Sequence, residues 1–203
     1  MVTCSLKSAL TENELEAVRA YASEATFFHA VSQGRQAELA PLQEFQKFCQ
    51  TASAHRSAID SAIAKCTMDS SATLYSGHGV GLTIRGSLCG DASKFIGQIY
   101  RYTGYISTSS VEQIAVDSFL VKRVFDGSMP TLLEVRLSVG FHLLDMNLAG
   151  SQGEFEFLIG RGVGFVVVDA LYFKVAGVLD PVLRLVLEPV AGPVNGASAS
   201  SSG

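Results

Sequence analysis

The chain has 203 residues, of which 48% are hydrophobic and 17% charged, and its net charge at pH 7 is −4. This supplies enough apolar material for the core of one large domain or two small ones. It argues against a sequence-independent grip on nucleic acid, which needs a basic surface, and no basic run resembles a polybasic membrane anchor.

The first 70 residues are predicted to be helical. The stretch from Leu10 to Val31 begins with a capping-box pattern, because Glu14 follows Thr11 at a spacing of three. Apolar residues then recur at helical spacing, here and again over 38–66. The N-terminus lacks the apolar core of a signal peptide, and no segment reaches the roughly 20 apolar residues of a membrane span.

From Thr73 to Pro189 the chain changes to short runs of β-branched and aromatic residues bounded by Gly, Ser and Asp. Such runs predict strands. Between them, 91–104 is typical of a short helix or loop, and 111–125 fits either a helix or a strand. Helices followed by strands predict an α+β fold with mostly antiparallel pairing, not alternating βαβ units.

The same patterns predict the domain organisation. We expect one domain over residues 1–190, with a helical part over 1–70 and a β core over 71–190. The Ala/Gly/Ser-rich tail, 191–203, is predicted to be disordered.

Several common site classes are not indicated. Neither glycine cluster completes the GxGxxG fingerprint of a dinucleotide-binding turn, and the second leads into a strand instead of a helix. His55 and His142 have no third metal ligand at a useful spacing, so no metal site is predicted. The cysteines show no metal-site or disulfide spacing and are predicted to be reduced and mostly buried: Cys4, Cys49, Cys66 and Cys89.

Two carboxylates stand at the start of an apolar run. Glu154 and Glu156 are separated by Phe155 alone, so on a strand both would project from one face about 7 Å apart. A solvated sheet face explains this pattern. A cleft explains it equally, with one carboxylate stabilising a developing positive charge and the other handling a proton.

A hydroxyl cluster precedes this pair in the chain. Ser107, Thr108 and Ser109 follow Tyr105 at the end of a predicted strand. These hydroxyls are compatible with turn chemistry alone. They are equally compatible with hydrogen bonds that orient a carboxylate.

The order of "LYSG", "GYISTSS" and "GEFEFLIGRGVGFVV" resembles the arginine-specific mono-ADP-ribosyltransferases, which carry Arg, Ser-Thr-Ser and Glu-x-Glu motifs in that order. The resemblance spans about Leu10 to Val190 and is to the bacterial type III effector-like members, since a disulfide framework is lacking. It implies an ADP-ribosyltransferase fold, in which a helical region packs on a mostly antiparallel two-sheet β core.

The resemblance also implies roles for the acidic pair. Glu156 would be the catalytic glutamate, which holds the ribose 2′-hydroxyl and stabilises the cation formed when NAD loses nicotinamide. Glu154, with Gln152 in the loop 150–153, would bind the acceptor guanidinium. Ser107 would donate a hydrogen bond to Glu156.

NAD binding is implied for two further groups of residues. Thr108 and Ser109 would shape the nicotinamide pocket. The first motif would contact the cofactor through Tyr75, Ser76, Gly77 and His78. NAD is implied as a substrate, and no metal is implied.

One position departs from the family pattern. The first motif ordinarily reads Tyr-Arg-Gly, and Ser76 replaces the arginine that grips the NAD phosphate and ribose. Serine can donate one hydrogen bond but carries no charge, and losing a charge-assisted contact costs about 1.5–3 kcal/mol. His78, Arg85 and Arg101 are the candidates to replace it.

Three functions therefore stay open from the sequence. The first is an active arginine mono-ADP-ribosyltransferase, a secreted bacterial effector that acts in the host cell as a monomer on an arginine-bearing target. The second is an ADP-ribosyltransferase fold that has lost productive NAD binding and holds an arginine-containing peptide or partner on its acidic face. The third is a globular domain with a solvated sheet face. Neither nucleic acid nor a membrane is expected as a partner.

Overall fold

The computed structural model describes residues 2–32, 43–80, 91–121, 129–149, 156–178 and 181–190. Glu154, Gln152, Arg85, Cys89 and the tail 191–203 therefore lie outside the described residues, and Cys49 is described only in its backbone.

The helical prediction for the front of the chain is confirmed by two long helices, α1 (Glu12–Ser32) and α2 (Gln43–Lys65). The capping box forms as predicted. The Thr11 amide donates to the Glu14 carboxylate at 2.7 Å, and the Glu14 amide donates to the Thr11 hydroxyl at 3.3 Å. Two orphan donors at the start of α1 are thereby satisfied.

Two short strands flank these helices and were not predicted. β1 (Cys4–Leu6) pairs antiparallel with β2 (Cys66–Met68), which follows α2 directly. A three-residue strand shows too little alternation to be separated from a neighbouring helical pattern. The described parts of the first 70 residues are thus mainly helical, with a small two-stranded ribbon beside the helices.

The remaining eight strands form one sheet, with the order β4-β9-β10-β6-β3-β5-β8-β7. Their bounds are β3 (Ala72–Val80), β4 (Ile99–Arg101), β5 (Ile106–Ser109), β6 (Met129–Leu137), β7 (Leu143–Asp145), β8 (Glu156–Ile159), β9 (Gly164–Phe173) and β10 (Val182–Pro189). All pairs are antiparallel except β6 with β10. The α+β, mostly antiparallel prediction is confirmed.

Pairing is least extensive between β3 and β5, and we call this place the joint of the sheet. β3 pairs with β6 along its whole length, from Ala72 to Val80, whereas its pairing with β5 is the single pair Tyr75 and Ser109. We call β4-β9-β10-β6-β3 the long-strand part and β5-β8-β7 the short-strand part. Side chains from both fill one core, including Leu74 and Leu133 from the first and Phe157 and Ile159 from the second. The predicted two sheets are thus two parts of one hydrogen-bonded sheet.

Helices cover the outer face of each part. Tyr21 and Ile59 of α1 and α2 pack against Leu158 of β8 in the short-strand part. On the long-strand part, Leu132 packs under a short helix α3 (Glu112–Ala115) and the π-helical turn that continues it over Val116–Val121. The segment whose type the sequence left open is therefore helical where it is described. The described residues also contain two single-turn 3₁₀ helices, Ala92–Phe95 and Met146–Ala149.

Within the described ranges, no helix is both long and apolar enough to cross a membrane.

Candidate active site

The predicted catalytic glutamate and its serine meet at the joint of the sheet. Glu156 is the first residue of β8 and pairs with Ser109 of β5, while Ser107 pairs with Leu158. Because paired residues in antiparallel strands share a face, these side chains all project to the outer face. The Ser107 hydroxyl donates to Oε1 of Glu156. The structure thus brings together the two groups that the sequence predicted to act as a pair.

Thr108, between the two serines, faces the opposite way. It is buried, and its hydroxyl donates to the Phe157 carbonyl at 2.7 Å. Since Phe157 is also its register partner, the bond holds β5 against β8. The sequence placed Thr108 at the nicotinamide pocket. In the structure it lies in the core, so a ligand contact would require this bond to be replaced.

The first motif lies beside this pair, on β3. Tyr75 pairs with Ser109 across the joint and with Glu134 on its other side, so it shares the outer face with Glu156. Gly77 is buried opposite Leu132. His78 continues the strand opposite Thr131, and its side chain is not described.

Ser76 is almost completely buried, with 1% of its surface exposed. Its hydroxyl donates to the backbone carbonyl of Ser107 at 2.5 Å. Arg101, which the resemblance offered as a replacement for the expected arginine, lies on β4, and β9, β10 and β6 separate that strand from β3. Its guanidinium lies against Gly164, 3.3 Å from where a Cβ would stand.

Comparison with known families decides the assignment. The model of the ADP-ribosyltransferase exoenzyme family matches residues 3–187. The chain belongs to this family. Its fold is the ADP-ribosyltransferase fold, and the family uses NAD as a substrate.

Solved structures agree with this fold. Vis toxin from Vibrio splendidus is 20% identical with a TM-score of 0.61, covering 89% of this chain and 74% of its own. Plx2a toxin from Paenibacillus larvae is 18% identical with a TM-score of 0.63, and the coverage is 90% and 88%. An ADP-ribosyltransferase from Clostridium botulinum is 17% identical with a TM-score of 0.61, and the coverage is 90% and 89%. No curated protein sequence matches the chain.

Tyr21 lies near the site, although sequence reasoning assigned it no role there beyond belonging to the helical stretch from Leu10 to Val31. It lies on α1, fully buried, with its ring edge-on to Tyr105 at 5.9 Å between centroids. Burial, and after it the Glu156 carboxylate, raises the pKa of the Tyr21 phenol. The phenol therefore stays protonated near the carboxylate. Its helical spacing was visible in the sequence, but its proximity to Glu156 depends on how α1 packs.

A second group missed by the sequence ties α2 to the strands of the site. The Asp60 carboxylate accepts from Tyr105 OH at 2.9 Å and from Arg161 Nε at 3.1 Å, and Arg161 Nη2 also bonds it. The Arg161 guanidinium stacks 5.6 Å from the Tyr105 ring centroid. Burial, followed by Asp60, raises the pKa of Tyr105. Tyr105 leads into β5 and Arg161 follows β8, so this clamp, Asp60–Tyr105–Arg161, fixes both strands.

The long-strand part has its own ion-pair group, as the short-strand part has the Asp60–Tyr105–Arg161 clamp. Glu134 is buried and accepts from Arg184 Nη2 at 2.5 Å and from Arg136 Nε at 3.2 Å. Arg184 also bonds Glu112 at 3.2 Å, which joins α3 to β10. Burial, and then Glu112 and Glu134, raises the pKa of the neighbouring Tyr75. These charges compensate one another within the group, which is therefore suited to holding α3 on the sheet.

No group of three or more His, Cys, Asp or Glu side chains is placed to hold a metal ion in the part of the chain that the structure describes.

Proposed function

We propose that the protein is a mono-ADP-ribosyltransferase that transfers ADP-ribose from NAD to an arginine side chain of a target protein. The observation that carries the proposal is the hydrogen bond from the Ser107 hydroxyl to the Glu156 carboxylate, made on one face at the joint of the sheet. Membership of the ADP-ribosyltransferase exoenzyme family supports the same chemistry.

The reaction needs a negative charge beside a developing cation. The bond between ribose C1′ and the nicotinamide nitrogen breaks, its electron pair leaves with nicotinamide, and positive charge develops on the ribose. The Glu156 carboxylate stabilises that charge and accepts a hydrogen bond from the ribose 2′-hydroxyl. Ser107 fixes the orientation of this carboxylate. Tyr75, Gly77 and Ser109 border the NAD site on the same face of the sheet, and His78 is the next residue along β3.

The acceptor step is assigned to two residues that precede β8 in the sequence. Glu154 binds the guanidinium of the incoming arginine together with Gln152, and takes the proton that the attacking nitrogen loses as its bond to C1′ forms. A guanidinium is protonated in water, so a carboxylate beside it is required for it to act as a nucleophile.

Two solved relatives support the choice of substrates. Vis was solved in complex with agmatine, and BECa of a Clostridium perfringens binary enterotoxin with NADH. Agmatine carries the guanidinium group of arginine. The Glu-x-Glu spacing of Glu154 and Glu156 offers a second carboxylate for such a group in this chain.

The decisive experiment incubates the purified protein with NAD and agmatine and identifies the products by mass spectrometry. We expect ADP-ribosyl-agmatine, with free ADP-ribose as the hydrolysis product when agmatine is left out. Glu154→Gln should lose the transfer product and keep the hydrolysis product, because it removes the acceptor base alone. The absence of both products from the wild-type protein would refute the proposal.

Peptides that carry arginine, asparagine or cysteine as the sole acceptor test the specificity separately. Transfer to arginine alone is expected. Transfer to another side chain contradicts the arginine assignment and leaves the transferase assignment intact.

We also propose a biological setting, which membership of the same family supports. The protein is a secreted bacterial effector that acts in a host cell as a monomer, and its partner is an arginine-bearing target protein. Host-cell extract treated with the protein and a labelled NAD should show one or a few labelled proteins. Labelling that Glu156→Gln leaves unchanged would count against this setting.

A further inference from the structure

Ser76 stands where the family carries the arginine that grips NAD, yet its surroundings are those of a structural hydroxyl. It is 1% exposed, and its Oγ lies 2.5 Å from the Ser107 carbonyl oxygen. Leu74, two residues earlier on the same face of β3, belongs to the main core. Position 76 thus faces the core side of the sheet, opposite to the face that carries Tyr75.

The Ser76 hydroxyl can donate only one hydrogen bond. A serine hydroxyl carries one proton and two lone pairs. Donation to the Ser107 carbonyl uses the proton, whatever else the oxygen accepts. Phosphate oxygens accept hydrogen bonds and need donors. Ser76 therefore has no proton to offer a phosphate while this bond is made.

The location of the bond shows what it does. The backbone pairing of β3 with β5 is the single pair Tyr75 and Ser109, so the joint is weakly fixed by the ladder. The Ser76 bond adds a second connection across it, to the backbone of the residue whose side chain holds Glu156. Two consecutive hydrogen bonds therefore connect Ser76 to Ser107 and Ser107 to Glu156, and we call this chain of bonds the relay.

We infer that Ser76 is a positioning residue that sets the Ser107–Glu156 pair across the joint, and that position 76 makes no contact with the NAD phosphates in this chain. The inference rests on the proposed function, since it assigns Ser76 a part in that same site. An arginine at this position would place a charge in a site with almost no solvent access, which is unfavourable without a paired group.

The test separates kcat from KM for NAD hydrolysis in four variants. Ser76→Ala should lower kcat about tenfold and leave KM for NAD within about twofold, because the relay is lost and the binding contacts are kept. Ser76→Thr keeps the hydroxyl and should recover most of kcat. Ser76→Arg should lower both kcat and the melting temperature. Ser138→Ala, at an exposed serine after β6, is the matched control.

The opposite pattern overturns the inference. If Ser76 were an NAD contact, Ser76→Ala would raise KM and keep kcat, and Ser76→Arg would lower KM or raise turnover. A Ser76→Thr variant as impaired as Ser76→Ala would also contradict it, because the hydroxyl would then not be the active element.

Two measurements that do not depend on enzyme activity allow the relay to be tested independently of the proposed function. Amide hydrogen exchange over β5 and the carboxylate ¹³C signal of Glu156 can be compared between the wild type and the variants. Faster exchange at residues 106–109 and a shifted Glu156 signal in Ser76→Ala, both recovered in Ser76→Thr, support the relay. An inactive wild type would refute the transferase proposal, while unchanged exchange and an unchanged carboxylate signal would refute the relay.

Discussion

The two parts of the sheet are held together in different ways. In the long-strand part, β3 and β6 are nine residues each and β9 is ten, and their ladders are continuous apart from a register shift between β9 and β10. In the short-strand part, β5 and β8 have four residues each and β7 has three. Side-chain bonds supplement these short ladders, including Thr108 to Phe157 and the Asp60–Tyr105–Arg161 clamp.

Because the two parts are held together differently, we expect substitutions in them to affect different properties, catalysis in one and stability in the other. The proposed catalytic pair, Ser107 and Glu156, lies on the part whose geometry depends on individual side chains. The long-strand part contributes backbone ladders and a self-compensated ion-pair group around Glu134. Substitutions in the short-strand part and at Ser76 beside it should therefore change activity first, and those elsewhere in the long-strand part should change stability first.

Glu156→Gln should have the largest effect and should act on catalysis alone. It keeps the shape of the side chain but removes the charge that stabilises the ribosyl cation, so kcat for NAD cleavage should fall about 10²–10³-fold. The free energy of unfolding, measured by urea titration, should change little. Glu188→Gln, at an exposed carboxylate on β10, is the control and should be silent in both measurements. Retention of near wild-type turnover by Glu156→Gln would contradict the role of the carboxylate.

Glu134→Gln should lower stability and leave turnover nearly unchanged, the opposite of Glu156→Gln. Removing the carboxylate leaves Arg184 and Arg136 without their shared partner, and breaking a buried ion pair is strongly destabilising. We expect a loss of about 2–3 kcal/mol in the free energy of unfolding, below the value for a fully buried pair because Arg184 keeps Glu112. Turnover per folded molecule should stay near that of the wild type. A large loss of turnover at unchanged stability would place Glu134 in the site instead.

Thr108→Val and Thr131→Val compare the two parts with one chemical change. Both threonines are buried, and each hydroxyl donates to a backbone carbonyl, that of Phe157 or Met129. Each change should cost about 1–2 kcal/mol of stability, because it leaves a carbonyl without that donor. Only Thr108→Val should also lower turnover, since its bond fixes β5 on β8. Equal effects on turnover would remove the distinction between the parts.

Acid should weaken the helical layer that supports the short-strand part. Bonds from Lys65, Thr11 and Ser61 outweigh the opposing effect of burial and lower the pKa of Glu14 to about 2. Because the folded pKa lies below the ordinary value of 4.5, this stabilisation is present above that pH and is lost as the pH falls towards about 2. The urea midpoint of the wild type should fall more than that of Glu14→Gln between about pH 6 and about pH 3. Parallel curves would show that Glu14 makes no such contribution.

Local patterns in the sequence predicted the parts of the molecule that depend on near neighbours. The capping box of α1 was predicted from Thr11 and Glu14, which are three residues apart. The shared face of Ser107 and Ser109 follows from strand alternation. That these serines meet Glu156 required the resemblance to a family, because 49 residues separate Ser107 from Glu156.

The rest depends on contacts that no local pattern records. Arg161 reaches Asp60 across 101 residues, and Glu134 reaches Arg184 across 50. The partner of Ser76 depends on β3 lying between β5 and β6, a strand order that is not sequential. The resemblance predicted a departure from the family pattern at position 76, but only the tertiary arrangement shows the backbone group that its hydroxyl meets. The roles of Glu154 and Gln152 stay predictions, since both lie outside the described residues.

The parallel pairing of β10 with β6 has a consequence for how the chain is made. β10, Val182–Pro189, occupies the interior of the sheet between β9 and β6. During synthesis the chain cannot close its sheet until this late segment has left the ribosome, and contacts so distant in sequence slow folding. A nascent chain that ends before Val182 would expose two open strand edges, which are templates for aggregation. Folding is thus delayed until nearly all of the described chain has emerged.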